Sequence, residues 1–271
     1  MTSVSDSAAT GDTRFPPGTF TPQPAPAPLA AMIAAQTNLE LKLLLRNGEQ
    51  LLLTMFIPIT LLIGLCLLPV DTSLGSSTAE RATTLVPAIM TVAIMSTAFT
   101  GQAIAVGFDR RYGALKRLGA TPIPRWGIIA GKSLAVIAVV VLQSAILGAI
   151  GAAFGWRPSV VGLLIGALVI ALGTVTFSAL GLLLGGTLKA EVILALANLL
   201  WFAMVGVSGV VVLSSRVPDA VLWVARATPS GALAHALEQA TRGSVDLLGI
   251  AVLVLWALAA GALATGWFRF E

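Results

Sequence analysis

Residues 159–188 read SVVGLLIGALVIALGTVTFSALGLLLGGTL and contain no charged side chain. A helix needs about 20 consecutive apolar residues to cross the roughly 30 Å hydrocarbon core of a bilayer. This stretch is long enough, so it predicts a membrane-spanning helix. The rest of the chain is interpreted around it.

Five further runs of the same kind lie before and after this stretch. The six predicted spans are, in chain order, Leu51–Val70, Thr83–Phe108, Ser133–Phe154, Ser159–Leu188, Val192–Ser215 and Leu247–Phe268. None of them has an acidic or basic residue at its middle. Pro58 and Pro87 lie inside spans and predict kinks there. The pattern predicts an all-α polytopic membrane protein with six transmembrane helices.

The composition excludes a single soluble domain. Hydrophobic residues make up 57% of the 271 residues and charged residues only 10%, whereas soluble domains carry about 25% charged residues. The net charge of +4 comes from basic residues in short segments between apolar runs, which indicates membrane topology and no nucleic-acid partner. The single cysteine, Cys66, predicts neither an intrachain disulfide nor a metal site.

Two segments precede the first span. Residues 1–28 are rich in proline and lack an apolar period, so they are predicted to be disordered. They have no basic start and no apolar core, so no signal peptide is expected. Residues 29–50 place Asn38, Lys42 and Arg46 on one stripe, which predicts an amphipathic helix in the membrane interface. An N-terminal extension of the first span is the alternative.

The distribution of basic residues predicts the orientation. With both termini in the cytoplasm, eleven basic residues lie inside and five outside, which follows the positive-inside rule. The inner set is Arg14, Lys42, Arg46, Arg110, Arg111, Lys116, Arg117, Arg125, Lys132, Lys189 and Arg269, and the outer set is Arg81, Arg157, Arg216, Arg226 and Arg242. The chain is therefore expected in the cytoplasmic membrane. Lys132, near the inner end of the third span, is expected to extend toward the lipid headgroups.

The inner loop of residues 108–127 carries the main functional signal. A short helix is predicted over Asp109–Leu118, with Gly119 ending it and prolines following. Three apolar residues, Tyr112, Leu115 and Leu118, recur at three-residue intervals on this basic segment. Such a ridge suits a groove on a cytosolic partner. A basic anchor on anionic lipid is the alternative, and residue types alone do not decide between them.

The stretch RYGALKRLGATPIPRWGIIAGK, residues 111–132, resembles the signature loop of type-2 ATP-binding cassette permeases, most closely their drug-resistance-exporter branch. Ala114 and Asp109 are mild departures from the family pattern. The resemblance implies that the loop contains a coupling helix resting on a cytosolic ATPase subunit. The residues that would carry this contact are Arg111, Tyr112, Leu115, Lys116, Arg117 and Leu118. It also implies two ATPase copies, which hold the ATP and Mg²⁺, and a second permease copy or a related permease.

Residues 216–246 form the second hydrophilic segment, on the outer side. Two short helices are predicted, Val217–Arg226 and Ser230–Thr241, with Ser230 as an N-cap. Apolar residues such as Leu233 and Leu237 are expected to enter the outer leaflet. The resemblance implies an outer re-entrant hairpin before the last span and an outer gate. Its gate residues would be Pro229, Ser230 and Leu233. An ordinary surface loop with interfacial helices is the alternative.

Residues 127–133 resemble a phosphate-binding loop only superficially. That loop needs four residues between its glycines, and three separate Gly127 from Gly131. No ATP site, other cofactor, metal site or catalytic residue is therefore predicted in this chain.

Two other functions remain as alternatives. An intramembrane serine protease would use Ser208 and His235, which are predicted near the outer surface and not inside the bundle. An ion-coupled secondary transporter normally keeps an ionisable residue at mid-membrane, which no predicted span has. The sequence is therefore interpreted as a permease without enzymatic activity, belonging to an ATP-driven exporter of lipophilic or amphipathic molecules such as drugs or lipids.

Overall fold

The computed structural model describes residues 27–68, 75, 77–213 and 217–267, and within them it contains helices joined by turns. The helices are α1 (Leu29–Arg46), α2 (Gly48–Leu67), α3 (Thr78–Ile94), a π-helical segment (Met95–Gly101), α4 (Gln102–Arg111), α5 (Ala114–Gly119), α6 (Arg125–Ala153), α7 (Val160–Thr187), α8 (Ala190–Val212), α9 (Asp219–Ala227), α10 (Pro229–Thr241) and α11 (Leu247–Trp267). The predicted all-α class is confirmed. The disorder predicted for the proline-rich N-terminus falls almost entirely outside the described residues.

Five helical stretches in the described residues are long and apolar enough to cross a membrane. They are Thr78–Arg111, Trp126–Ala153, Val160–Thr187, Ala190–Val212 and Leu247–Trp267. These match the second to sixth predicted spans. The predicted first span lies in α2, whose described apolar part, Thr54–Leu67, is shorter than a full crossing. The sixth crossing stays a prediction.

The stretch from α3 through the π-helical segment to α4 is the central element. In its most apolar window 72% of the residues are buried inside the protein, against 17% for α8. Pro87 lies inside α3 and Pro58 inside α2, as predicted. Because α8 packs least against the rest of the chain, most of its surface is left for lipid or for another protein.

Glycines of α7 allow close packing against this central element. A Cβ on Gly181 would lie 2.8 Å from the carbonyl oxygen of Phe99, in the π-helical segment, and one on Gly185 would lie 2.7 Å from that of Ala103. No real Cβ tolerates such distances, so glycine is required at both positions. Small residues that let two helix backbones approach closely are typical of helix packing in lipid.

A buried polar contact joins three helices within the apolar core. The amide of Gln143 in α6 accepts a hydrogen bond from Thr97 in the π-helical segment at 3.0 Å and donates one to the carbonyl of Thr54 in α2, also at 3.0 Å. In lipid such bonds between helices hold the bundle in register. The contact fixes α2 and α6 to the stretch from α3 to α4.

Candidate functional site at the two ends of the bundle

The predicted coupling loop, residues 108–127, begins in the last turn of α4. The predicted continuous helix Asp109–Leu118 is wrong, because Tyr112 and Gly113 break it and a separate six-residue α5 follows. Gly113 has a φ of 68°, in the left-handed region that favours glycine. The loop is therefore a helix, a sharp turn and a second short helix.

Leu115 anchors α5 to the bundle. Its side chain is only 1% exposed and packs with Val106 of α4, Ile128 of α6 and Leu182 of α7. The ridge predicted from Tyr112, Leu115 and Leu118 is therefore wrong as an exposed surface, because Leu115 points into the protein. Leu118 is partly buried against the same cluster. Tyr112, which is 68% exposed, is the member of the ridge that presents an apolar ring outward.

The basic residues of the loop lie at its exposed surface. Arg111 forms an ion pair of 2.6 Å with Glu191, at the start of α8, and lies over the rings of Phe108 and Tyr112. Arg117 donates a hydrogen bond of 3.3 Å to the carbonyl of Tyr112, and the side chain of Lys116 is also exposed. The loop thus presents positive charge around one exposed aromatic ring.

Arg110 joins the coupling loop to α7. Its Nη1 donates to the carbonyl oxygens of Gly185 at 3.1 Å and Leu188 at 2.9 Å. These carbonyls belong to the last turn of α7, where the helix leaves backbone acceptors without partners and its dipole favours a cation. The C-terminal ends of α4 and α7 are therefore held together at this end of the bundle.

Lys132 lies in a buried charged cluster instead of extending to the headgroups as predicted. Its Nζ is 2.8 Å from Glu40 of α1 and 2.6 Å from Asp109 of α4. Gln36 donates a further hydrogen bond of 2.8 Å to Glu40. The snorkelling prediction failed because two carboxylates compensate the buried ammonium within the protein. The charged cluster, defined as Lys132, Glu40 and Asp109, connects α1, α4 and α6 beside the coupling loop.

The opposite end of the bundle contains α9 and α10. The two predicted short helices are present, but Thr228 and not Ser230 caps α10, since its hydroxyl accepts a hydrogen bond from Gly231 N–H. Ser230 is fully buried. Proline occupies the first position of α10, which costs no hydrogen bond there. Pro229, Ser230 and Leu233 are all buried.

Leu233 packs into the middle of α7 and does not enter the lipid as expected. A Cβ on Gly173 would lie 2.6 Å from Cδ1 of Leu233, so the leucine occupies the space that glycine leaves. Leu237 is buried as well. The expectation failed because α10 is covered by α3, α7, α8 and α11. Its apolar residues are therefore part of the protein core.

A second polar cluster, defined as Asp246, His235 and Arg226, joins α9, α10 and α11. Asp246 Oδ2 lies 2.7 Å from His235 Nδ1, and its Oδ1 accepts from Arg226 at 3.1 Å. Burial raises the pKa of the Asp246 carboxyl, but the hydrogen bonds from His235 and Gly249 N–H and the nearby positive charges outweigh it and hold the pKa below its usual value. The sequence analysis missed this cluster.

Ser208 and His235 do not form a catalytic pair. The hydroxyl of Ser208 donates to the carbonyl of Val205 at 2.9 Å, within its own helix. His235 uses Nδ1 on Asp246, and no hydrogen bond joins the two side chains in the described part of the chain. The arrangement therefore lacks the contact between nucleophile and base that a serine protease needs.

Comparison with known proteins finds one family. The sequence profile of the ABC-2 type transporter matches residues 33–240, which is more than half of the chain and includes α5 and most of α10. No curated protein matches the chain at a significant level.

Proposed function

The chain belongs to the ABC-2 type transporter family, and from that premise we propose that it is the permease subunit of an exporter driven by a separate cytosolic ATP-binding cassette ATPase. Two ATPase copies would hydrolyse ATP with Mg²⁺. The single observation that carries the proposal is the coupling loop, in which exposed Tyr112, Lys116 and Arg117 surround a helix fixed from behind by buried Leu115. Because α5 is packed against the bundle in this way, a movement of the ATPase would be transmitted to the helices behind it.

Three connections lead from the coupling loop into the bundle. The α4 helix continues through the π-helical segment into α3, Arg110 holds the end of α7, and the charged cluster holds α1 and α6. We propose that closure of the ATPase dimer displaces α5, and that these helices then move as a rigid group. Arg111, Lys116 and Arg117 would steer docking more than strengthen it, because exposed ion pairs contribute little.

A second permease copy would complete the translocation path. Support comes from α8, where Asn198 lies exposed near the middle of an apolar helix and donates a hydrogen bond to the carbonyl of Leu194 in its own helix, at 2.7 Å. Phe202, Gly206 and Gly209 follow it at helical spacing, and a Cβ on either glycine would meet nothing within 4 Å. Small residues and an amide are what helices use to associate in lipid. We therefore propose this face of α8 as the surface between the two copies.

The finer topology belongs to the same proposal. We place α1 in the membrane interface, count α2 as the sixth crossing, and assign the coupling loop and both termini to the cytoplasm of the cell. The α9–α10 pair would form the outer re-entrant hairpin, with Pro229, Ser230 and Leu233 at the outer gate. Burial of α10 against four neighbouring helices supports a segment that enters the bundle and does not merely rest on it.

The substrate is proposed to be lipophilic or amphipathic, a drug-like molecule or a lipid, and the direction to be export. The spans are apolar through their middle parts, and a strongly charged substrate would lose its hydration there without compensation. An ion-coupled transporter is the second candidate, because Lys132, Glu40 and Asp109 form the kind of buried charged group that such transporters use.

The test is a pull-down followed by reconstitution. Tagged permease is purified from its own membranes, and we expect a cassette ATPase to co-purify and to be required for ATP-driven transport in vesicles. Tyr112→Ala should reduce ATPase binding about tenfold, the scale of an interface contact that matters, whereas the pair Lys116→Glu and Arg117→Glu should mainly slow association, an effect that weakens at high salt. Lys42→Glu, on exposed α1, is the control.

Leu115→Ala separates docking from anchoring. Its loss of buried contacts should cost about 2–5 kcal/mol of stability, whereas Tyr112→Ala should change stability by less than about 0.5 kcal/mol. Transport by the permease alone, driven by a proton or sodium gradient, would refute the proposal and favour the second candidate.

A further inference from the structure

An apolar groove lies between α6 and α7 at the end of the bundle opposite the coupling loop. It encloses about 580 Å³, within the range of about 300–1,000 Å³ that is typical of ligand sites. Its walls consist largely of small residues, among them Ala145 and Gly148 of α6 and Gly162 and Gly166 of α7. Met90 of α3 and Leu237 of α10 line it as well.

The groove has the length of a lipid chain. Its lining runs from Ile137 to Ala152 on α6 and from Gly162 to Thr174 on α7, which at 1.5 Å per residue is about 22 Å and about 18 Å. Half of the hydrocarbon core of a bilayer measures about 15 Å. The groove therefore covers the depth of one leaflet and accommodates one extended acyl chain.

The lining makes water a poor occupant. The lining has three hydroxyls, those of Ser144, Thr174 and Thr241. The hydroxyl of Thr174 already donates to the carbonyl of Ile170 and that of Thr241 to the carbonyl of Glu238, each within its own helix. A water needs two to four polar partners to remain in a cavity. An empty groove would also leave its lining atoms without dispersion contacts.

One end of the groove is positively charged. Arg157, between α6 and α7, lines the mouth and donates through Nη1 to the carbonyls of Ala152 and Trp156. No carboxylate in the described ranges pairs with it, and its other guanidinium nitrogen, Nη2, makes no hydrogen bond there. Arginine binds phosphate through two parallel N–H donors. The charge therefore stands where a phospholipid headgroup would lie above its chain.

We propose that the groove binds one acyl chain of an anionic phospholipid of the outer leaflet, with the phosphate at Arg157. The small residues of α6 and α7 create the space, and the arginine selects a negative headgroup. The site requires that the helices span a bilayer with Arg157 on the outer side. The site does not require the ATPase. The lipid site can therefore be absent while the proposed function is correct, and it can be present while the proposed function is wrong.

Photolabelling tests the site in the intact chain. The permease is reconstituted in phosphatidylcholine vesicles containing phosphatidylglycerol with a diazirine in its acyl chain, irradiated, and mapped by mass spectrometry. Labels should concentrate on Ala145, Gly148 and neighbouring groove residues. Gly166→Leu should reduce that labelling at least fivefold by filling the groove, where a Cβ has room because its nearest neighbour is 4.0 Å away.

Two comparisons complete the experiment. Gly261→Leu, on α11 and also without neighbours within 4 Å, should leave groove labelling unchanged. Arg157→Gln should lower the preference for the phosphatidylglycerol probe over its phosphatidylcholine analogue by about fivefold, the effect of one basic residue near anionic lipid. Labels spread evenly over α8 and α11, equal loss with both leucine variants, or an unchanged preference with Arg157→Gln would overturn the proposal.

A second permease copy in the groove would also overturn it. In a Cys66→Ser background, Ala145→Cys should form no disulfide between copies under oxidation. A covalent dimer at that position would show that protein and not lipid covers the groove.

Discussion

Lys132 is a buried cation that joins three helices, α1, α4 and α6. It compensates two carboxylates from different helices, Glu40 and Asp109, at 2.8 and 2.6 Å. Breaking such a cluster from one side leaves like charges buried together, which costs much more than the intact cluster contributes. The contribution of the cluster to stability is therefore best measured with variants that remove the lysine and one carboxylate together.

Replacing Lys132 by methionine should lower the free energy of unfolding by roughly 3 kcal/mol, because Glu40 and Asp109 lose their cation. Adding Glu40→Gln should recover part of that loss. Thermal unfolding of the purified protein in detergent gives both values. Lys42→Met, on the exposed side of α1, is the matched control and should have little effect; equal losses at both lysines would contradict the assignment.

Asp246 predicts a pH dependence at the other end of the bundle. Its carboxyl has a lowered pKa in the folded protein, so its contribution to stability is present above the unfolded value of 3.8 and is lost as pH falls through the folded value. The stability advantage of the wild type over Asp246→Asn should stay at least constant from pH 7 to about pH 5 and shrink below pH 3.8.

The matched control for this prediction is Asp219→Asn, at the exposed start of α9. That carboxylate only complements a helix dipole, so its removal should cost less than about 1 kcal/mol. Melting temperatures of the wild type and of both variants, measured across this pH range, test the prediction. A gap for Asp246→Asn that widens toward pH 3 would have the wrong sign and would refute the role given to this carboxylate.

Individual residue roles were only partly predictable from the sequence. A three-residue period placed Tyr112, Leu115 and Leu118 on one ridge, but it could not tell whether that ridge faces the bundle or a partner, since both are apolar. The signal for the charged cluster was available: Gln36 and Glu40 are polar residues four apart in α1, off the stripe of Asn38 and Lys42. Their partner Lys132 could be found only with the helices packed.

At the scale of elements, α10 and α7 are matched by shape. Leu233 of α10 enters the space above Gly173 of α7. Replacing glycine by alanine in a helix normally stabilises it by about 1 kcal/mol. Here the added methyl would lie 2.6 Å from Cδ1 of Leu233, which is fully buried, so we expect overpacking to decide the sign.

Gly173→Ala should therefore destabilise the protein by roughly 1–3 kcal/mol, while Gly261→Ala, with nothing within 4 Å, should be neutral or stabilising. Leu233→Ala combined with Gly173→Ala should cost less than the sum of the single changes, because the two residues share one contact. Thermal unfolding of the wild type, the two single variants at residues 173 and 233 and the double variant gives this double-mutant cycle. If the losses of stability were additive, residues 173 and 233 would not be in contact.

Elements were predicted where hydropathy defines them. The second to sixth spans were predicted from the length of their apolar runs, because a helix that crosses the membrane needs about 20 consecutive apolar residues. The π-helical segment could not be predicted, since residues 95–101, MSTAFTG, differ from an α-helix in hydrogen-bond pairing and not in composition. The burial of α10 inside the protein was not predicted, because alanine and leucine are equally compatible with lipid and with a protein interior.

At the scale of the whole molecule, α8 is the surface on which assembly should depend. It is the least buried of the five spans, and its exposed face combines Asn198 with small residues. The family resemblance in the sequence implied partners but not where they bind, because lipid-facing and partner-facing surfaces are both apolar. The exposed amide of Asn198 distinguishes this face from α11, which also has an open glycine, Gly261.

Cross-linking tests this surface. In a Cys66→Ser background, Phe202→Cys on α8 should give covalent dimers in vesicles, whereas Leu255→Cys on α11 should not. Both side chains are 67% exposed, so accessibility does not favour either. Gly206→Leu should reduce dimer formation, because it fills the space that the partner helix would use. Equal yields at both cysteines would indicate random collisions.

The π-helical segment has a further consequence for the molecule. The wide turn holds about one residue more than an α-helical turn does, and each residue of an α-helix corresponds to about 100° of rotation. If the segment straightened into an α-helix without losing a residue, Asp109 would turn away from Lys132 and Arg110 away from α7 together. Deleting one residue such as Thr100 would instead remove the wide turn and leave both contacts near their present orientation, so this stretch should tolerate a one-residue deletion that an α-helical stretch of the same span would not.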